Sequence, residues 1–200
     1  MTLIAATNNP GKLVELKRML EPEGFKILSM RQANVYAEIE ETAPTYEGNA
    51  EIKAVIVSEV TDMPVIADDS GLEVDALDGA PGVFSARYAG NGASSTECIG
   101  KLLECLRDVP PEKRGAHFVC SVCCILPGGK MIRTCGRCDG WIAKAVSNGG
   151  GGFGYDPVFI ESNSGIAFSD LSQEEKDKVS HRGMAVRELV KKLRETDQSN

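Results

Sequence analysis

Short apolar runs alternate with segments of helical periodicity along the first half of the chain. The runs at Leu3–Ala6, Lys26–Met30 and Val65–Ala67 are short and bounded by polar or turn residues, which favours strands. Leucines at positions 13, 16 and 20 predict a helix that begins near Pro10–Gly11. A second helix is predicted over residues 45–60, with Thr45 as its N-cap.

The second half continues with a strand at residues 72–77, a helix at residues 95–106 and a cysteine-bearing hairpin with a Pro-Gly-Gly turn. Four consecutive glycines at 149–152 cannot form a stable strand or helix interior, so they predict a loop whose backbone approaches another group closely. Ser172 with Glu175 fits a capping box, and apolar residues at 186, 189, 190 and 193 predict a final helix. A polar, disordered tail is expected at residues 196–200.

The stretch "PVIADDSGLEV" joins the apolar run at Val65–Ala67 to two adjacent carboxylates. Side chains alternate along a strand, so Asp68 and Asp69 should point to opposite faces. At least one of them then lies near the core, where an ionised carboxylate is costly unless it is paired or bound to a metal. The alternative is an Asx turn, in which one of the two acids caps backbone N–H groups beside a turn at Ser70–Gly71.

The chain has 200 residues, a net charge of −7, 42% apolar residues and 26% charged residues. These values are ordinary for a globular protein of one domain. The acidic balance argues against a nucleic-acid binder, because such proteins normally present a basic face. No segment approaches the roughly 18 apolar residues of a membrane span, and the first residues resemble a strand rather than a signal peptide. We therefore expect a cytoplasmic protein without nucleic-acid or membrane partners.

Seven cysteines raise the alternative of a zinc ribbon. Cys120-x-x-Cys123 and Cys135-x-x-Cys138 have the spacing of paired zinc ligands. The same stretch also fits two strands, and residues three apart on a strand face opposite sides, so Cys120 and Cys123 should not reach one metal ion. We expect thiols of the core and the strands, and a zinc-ribbon interaction module stays open as the alternative.

Charged side chains and two loops together indicate a nucleotide site. The loop "TNNPGK" precedes the first predicted helix, and a helix N-terminus offers N–H groups and a positive dipole to a phosphate. Acids that bind a hard divalent ion, beside cations that bind phosphate oxygens, suit hydrolysis of a phosphoanhydride. An aromatic side chain in the glycine loop suits a planar base. The acids are Glu40, Glu41, Asp68 and Asp69, and the cations are Lys12, Lys53, Lys176 and Arg182.

Five motifs then carry a family resemblance. In chain order they are "TNNPGK", "EETAPTYEGNAEIKA", "ADDSGLEVDALDGAPGVFSARYAG", "GGFGYDPVF" and "LSQEEKDKVSHRGMA". Together they resemble the Ham1/inosine triphosphate pyrophosphatase family, and they span Thr7 to Ala185. The resemblance implies an elongated α/β fold, with a mixed β-sheet flanked by helices and two lobes with a central nucleotide cleft. It also implies a single domain over residues 1–200 and a homodimer.

The resemblance implies a role for particular residues as well. Asp69 is implied as the general base, and Glu41 and Asp69 as the ligands of Mg²⁺. The residues implied to bind the substrate, a purine nucleoside triphosphate, are Thr7, Asn8, Asn9, Pro10, Gly11, Lys12, Lys53, Ser70, Phe153, Gly154, Tyr155, Asp156, Lys176, His181 and Arg182. Taken alone, a histidine at a helix junction such as His181 is typical of a simple cap.

The activity that the resemblance implies is Mg²⁺-dependent hydrolysis of non-standard purine nucleoside triphosphates (ITP, dITP and XTP) to the monophosphate and diphosphate. Such an enzyme cleanses the nucleotide pool. The alternative enzyme is a Maf-like pyrophosphatase of modified pyrimidine nucleotides, which the motifs "SHR" and "FGYDP" disfavour. Arg182 is expected to help select inosine over adenosine, because a guanidinium can only donate hydrogen bonds and inosine carries an oxygen at C6.

Overall fold

The structure of the chain, a computed structural model, describes residues 1–197 and contains one six-stranded sheet. Its strands are β1 (Thr2–Ala5), β2 (Lys26–Ser29), β3 (Val65–Val74), β4 (Gly115–Ile125), β5 (Met131–Ile142) and β6 (Phe159–Glu161). The order across the sheet is β2-β1-β3-β4-β5-β6. Because β1 pairs in parallel with β2 and β3 while β5 pairs antiparallel with β6, the sheet is mixed, as expected.

Within residues 1–197 the helices are α1 (Pro10–Leu20), α2 (Tyr46–Ser58), α3 (Ser95–Cys105), α4 (Gln173–Val179) and α5 (His181–Asp197). The predicted caps are present, since Thr45 accepts from the Gly48 N–H at 3.1 Å and Ser172 forms a capping box with Glu175. Helix α5 includes Thr196 of the predicted tail, and residues 198–200 lie outside the described part. No helix described is long and apolar enough to cross a membrane.

The chain forms two compact units, of which unit 1 comprises residues 1–69, 120–136 and those from 182 onward. Its main core cluster joins β1, α1 and α5, and it includes the fully buried Leu16 and Leu189. The apolar stripe predicted for the last helix therefore faces this core. A second cluster packs α2 against β1 and β3 through residues such as Ala54, Ile4 and Val65.

Unit 2 comprises residues 70–119 and 137–181, and three phenylalanines lie in its core. Phe118 on β4 lies with its ring centroid 4.7 Å from that of Phe159 and 5.8 Å from that of Phe168. The amphipathic helix α3 adds Leu102 to the same cluster. The prediction that the whole chain forms a single domain stays a prediction.

Strand β3 corrects the prediction of a turn at Ser70–Gly71. The strand runs without interruption from Val65 to Val74, so the two strands predicted on either side of this dipeptide are one. Its first five residues are all buried, since alternate side chains pack into two core clusters, and β3 lies between β1 and β4 in the sheet. This position provides strand partners on both sides, and a turn signal in the sequence does not prevail against them. The Asx-turn alternative is therefore wrong.

The cysteine-bearing segment forms the predicted pair of strands, β4 and β5. The turn between them has left-handed backbone at Gly128 and Gly129, with φ of 86° and 83°. Cys120 and Cys123 pack into different hydrophobic clusters of unit 1, whereas Cys135 is exposed. The strand interpretation is thus supported over the zinc ribbon. Sequence reasoning missed one strand, β6, which is only three residues long.

Candidate functional site

Lys53 links two carboxylates in unit 1. Its Nζ lies 2.5 Å from Glu41 Oε1 and 3.2 Å from Asp69 Oδ1. Asn49, four residues earlier and on the same face of α2, donates from Nδ2 to Asp69 Oδ2 at 3.3 Å. Both oxygens of Asp69 therefore have a partner supplied by α2, and Asp69 itself is buried at the middle of β3.

Electrostatics set these groups apart from ordinary surface charges. Burial is the largest influence on Asp69, and it raises the pKa of this carboxyl although Lys53 and Lys12 act in the opposite direction. Burial lowers the pKa of Lys53, but Asp69, Asp68 and Glu41 together outweigh it and leave the pKa above its ordinary value. A carboxylate with a raised pKa is a better proton acceptor near neutral pH, and the lysine beside it stays charged.

The start of α1 brings a further cation to the same acids. Asn9 caps the helix, since its Oδ1 accepts from the N–H groups of Gly11 and Lys12 at 2.9 and 3.2 Å. Pro10 occupies the first helical turn, and Thr7 Oγ1 accepts from the Asn9 N–H at 3.1 Å. The cap orders the loop, and Lys12 Nζ lies 3.2 Å from Asp68 Oδ2 and 3.9 Å from Asp69 Oδ1.

Apart from Lys12, which lies near both acids, Asp68 has different partners from Asp69, as alternation along a strand predicts. Its Oδ2 accepts from Nε and Nη2 of Arg182 at 3.1 and 3.0 Å, and Nη1 of Arg182 pairs with Glu15 of α1. Arg182 and Asp68 are both fully buried. Burial opposes ionisation of Asp68, but the charges of Lys12, Arg182 and Lys53 outweigh it and hold the pKa of this carboxyl well below its usual range.

In unit 2, Asp156 organises the aromatic glycine loop, which comprises residues 149–156. Its Oδ2 accepts from the Phe153 N–H at 2.7 Å and from Lys176 Nζ at 2.6 Å, and both charged side chains are buried. The Lys176 ammonium also lies 5.0 Å from the Phe153 ring centroid and 5.5 Å from that of Phe168. The two aromatic rings and the Asp156 carboxylate fix the position of the Lys176 ammonium. The same carboxylate accepts from the Phe153 N–H, so it also fixes the backbone at Phe153.

Close approach explains most of the glycine run. A Cβ at Gly152, which has a φ of 76°, would lie 2.0 Å from Asp156 Oδ2, and one at Gly149 would lie 1.9 Å from Asp170 Oδ1. A Cβ at Gly151 would lie 2.9 Å from the Ser169 carbonyl oxygen. At Gly150 a Cβ would meet nothing within 4 Å. The loop therefore follows its neighbours closely at three of its four glycines.

The remaining predicted site residues have varied surroundings. Tyr155 is buried and donates from its hydroxyl to the Ser85 carbonyl at 2.9 Å, so it anchors the loop. His181 is buried at the start of α5, and its ring stacks on Phe118 with centroids 4.6 Å apart. Ser70 is half-buried on β3, Gly154 has a φ of 61°, and Asn8 is exposed.

Three residues around these groups were missed by sequence reasoning. Asn49 had a readable signal, because it lies one helical turn before Lys53 and an amide there must face the same way. Glu15 and Ser85 had none, since an acid in an amphipathic helix and a serine in a loop are ordinary on their own. Ser85 accepts from the Leu72 N–H at 2.9 Å and so ties its segment to β3.

The carboxylates around Lys53 fit a hard divalent ion. Among residues 1–197, no group of three or more His, Cys, Asp or Glu side chains is arranged to hold a metal. Glu41 and Asp69, however, direct one oxygen each to the same ammonium group, so they already share a cation. Mg²⁺ is typically bound by one or two carboxylates together with water and substrate phosphates, and this pair meets that requirement.

The fold is that of a mixed α/β protein, with a buried cluster of acids and lysines in unit 1 and, in unit 2, an aromatic glycine loop that Lys176 of α4 contacts through Asp156. A profile of the Ham1 family matches residues 3–192. The chain belongs to the Ham1 family.

Similar proteins cover almost the whole chain. It is 44% identical over 190 residues to a protein named dITP/XTP pyrophosphatase from Halalkalibacterium halodurans, covering 95% of this chain and 97% of that protein. A protein of the same name from Bacillus subtilis is 43% identical over 190 residues, covering 95% and 96% of the two chains. The solved structure of the Staphylococcus aureus Ham1 protein gives a TM-score of 0.85 at 35% identity, over 98% of this chain and all of that one (100%). The structure of a HAM1 protein from Coxiella burnetii gives a TM-score of 0.86 at 36% identity, over 98% of this chain and 99% of that one.

Proposed function

We propose that this chain hydrolyses non-standard purine nucleoside triphosphates, such as those of inosine, deoxyinosine and xanthosine, to the monophosphate and diphosphate. The observation that carries the proposal is Asp69, a buried carboxylate with a raised pKa that contacts Lys53 and lies near Lys12. Family membership and relatives named dITP/XTP pyrophosphatase support this substrate class over a Maf-like activity on pyrimidines.

In this proposal the residues of unit 1 bind the triphosphate and move the proton. Lys12 and Lys53 provide ammonium groups for the phosphate oxygens, and Thr7 to Lys12 lie at the N-terminus of α1, where the helix dipole favours an anion although Asn9 caps the N–H groups of Gly11 and Lys12. Asp69 accepts a proton from the attacking water, because its raised pKa brings it closer to the working pH than an ordinary aspartate.

Glu41 and Asp69 would hold a divalent metal ion, proposed to be Mg²⁺. When bound, such an ion neutralises phosphate charge and lowers the pKa of water. Lys53 contacts both carboxylates, so it keeps them close together while their negative charges would otherwise repel. Removing Lys53 should weaken phosphate binding, because a charged donor to the phosphate oxygens is lost.

The residues of unit 2 are proposed to bind the nucleoside. The Phe153 ring provides an aromatic face, and Lys176, Asp156, Ser70 and His181 provide polar groups. Gly154 and Tyr155 shape the loop between Phe153 and Asp156. Selection of the base by Arg182 stays a prediction. The guanidinium already donates to Asp68 and Glu15, so it would have to contact the base in addition to these two carboxylates.

The test is release of pyrophosphate from a panel of purine and pyrimidine nucleoside triphosphates, with and without added Mg²⁺. We expect at least about 10²-fold preference for inosine over adenosine triphosphate, since a site built around a substrate hydrogen bond discriminates strongly. Asp69→Asn should lower kcat by at least about 10²-fold, which is the low end for loss of a general base. Asp139→Asn, at an exposed aspartate on β5, is the matched control. Preference for pyrimidines, or more than half of wild-type kcat in Asp69→Asn, would overturn the proposal.

The proposal includes a homodimer in the cytoplasm that binds neither nucleic acid nor membranes. The net charge of −7 supports the absence of a nucleic-acid partner. Light scattering coupled to gel filtration measures the mass directly, and a mass of one chain would remove the dimer from the proposal.

A further inference from the structure

Asp68 is a fully buried carboxylate that neither holds the metal ion nor accepts the proton in the proposed function. Within residues 1–197 its side-chain contacts fall on one oxygen, Oδ2, which lies 3.2 Å from Lys12 Nζ, 3.0 Å from Arg182 Nη2 and 3.9 Å from Cys120 Sγ. Its other oxygen, Oδ1, is buried and has no hydrogen-bond partner within the described residues 1–197. Asp68 thus binds both Lys12 and Arg182 through one of its two oxygens.

Stability alone does not account for this arrangement. Buried ion pairs contribute little net stability, because desolvation of the charges offsets much of their attraction. A buried oxygen without a partner adds a further cost. A geometry selected only for stability would divide the two cations between the two oxygens. What the observed geometry does achieve is to fix the position of each cation.

The position of Lys12 is the one that matters for chemistry. Its ammonium contacts both the side chain and, at 3.4 Å, the backbone carbonyl of Asp68, so it rests over β3 beside the next residue. From there it lies 3.9 Å from Asp69 Oδ1. An ammonium has three donors, and contacts to Asp68 on one side leave donor capacity for a phosphate oxygen on another.

We propose that Asp68 is a positioning residue, which holds the Lys12 ammonium beside Asp69 so that phosphate and general base meet in one place. Asp68 acts through Lys12, because its own side chain is inaccessible. This inference rests on the proposed function, because the proposed function is what assigns Lys12 to the triphosphate. Its test is separate, because binding of a phosphate chain can be measured without turnover.

The experiment is a double-mutant cycle with Asp68→Asn and Lys12→Ala. Two quantities are measured: the Kd for inorganic tripolyphosphate by calorimetry, and kcat/KM for inosine triphosphate. Asp68→Asn should weaken tripolyphosphate binding by at least about 10-fold, the lower range for losing a charged hydrogen bond. In the Lys12→Ala background the same change should alter Kd by less than about 2-fold, because the residue through which Asp68 acts is gone.

Glu15→Gln is the matched control. It also removes a buried carboxylate from Arg182, but Glu15 has no contact with Lys12 among those described. Both variants should lower the Tm, and only Asp68→Asn should change the Kd for tripolyphosphate. If Asp68→Asn does not fold, Asp68→Glu keeps the charge and moves it by one methylene. That variant should fold with a somewhat lower Tm, because the extra methylene overpacks a fully buried position, while its Kd rises.

The outcomes separate the two proposals. Additive effects of Asp68→Asn and Lys12→Ala on Kd, an equal effect of Glu15→Gln, or no binding of tripolyphosphate by the wild-type chain would overturn the role of Asp68. A wild-type chain that binds tripolyphosphate with the expected coupling but releases no pyrophosphate from inosine triphosphate would overturn the proposed function alone.

Discussion

A methyl group at Gly152 should disable the aromatic glycine loop, while the same change two residues earlier should not. Alanine at 152 would keep the backbone at a φ of 76°, and a left-handed conformation costs about 1–2 kcal/mol for a residue with a Cβ. The new Cβ would also lie 2.0 Å from Asp156 Oδ2. The carboxylate must then move, and it accepts from both the Phe153 N–H and Lys176.

The magnitude follows from those two hydrogen bonds. Losing one hydrogen bond to a charged group costs about 1.5–3 kcal/mol. If the loss appears in transition-state binding, kcat/KM for inosine triphosphate should fall by about 10- to 150-fold in Gly152→Ala. The strain of the left-handed backbone at residue 152 adds to this loss of kcat/KM, or it lowers the stability of the loop.

The assay is pyrophosphate release over a range of inosine triphosphate concentrations, with Tm measured on the same samples. Gly150→Ala is the matched control, because its Cβ would meet nothing within 4 Å and Gly150 is not left-handed. It should retain full activity, and alanine can even stabilise the chain by restricting the unfolded state. Equal kcat/KM values for the two variants would refute the role given to Asp156 in holding this loop.

Two further predictions concern stability. The pKa of Asp68 is held below its usual range in the folded chain, so its ionised form contributes stability above the unfolded pKa of about 3.9 that is lost as the pH falls. The Tm of the wild-type chain should therefore drop more steeply between about pH 5 and pH 3 than that of Asp68→Asn, and parallel curves would contradict this. Cys138→Ser should lower the Tm because Cys138 packs in the core of unit 2, whereas Cys135→Ser, at an exposed position, should not. Both should keep their activity, and stoichiometric zinc in the purified chain would instead support the zinc ribbon.

Local features of this protein were determined by the sequence itself. Thr45 and Ser172 cap their helices as predicted, and the glycine run forms a loop, because each depends on hydrogen bonds or backbone freedom within a few residues. The apolar stripe of the last helix likewise depends only on helical spacing. Apart from the shared Lys12, Asp68 and Asp69 have different partners, because alternation is a property of the strand alone.

The choice of partners was decided only by the tertiary structure. Asp68 pairs with Arg182, which is 114 residues away, and no local rule selects that cation over another. Strand β3 continues through Ser70–Gly71 because β1 and β4 lie on either side of it, although the dipeptide by itself indicates a turn. The lysines and acids were readable as a set, but which ammonium meets which carboxylate depends on burial and distance. These quantities arise only when distant segments pack together, since the energy of a charge depends on everything that surrounds it.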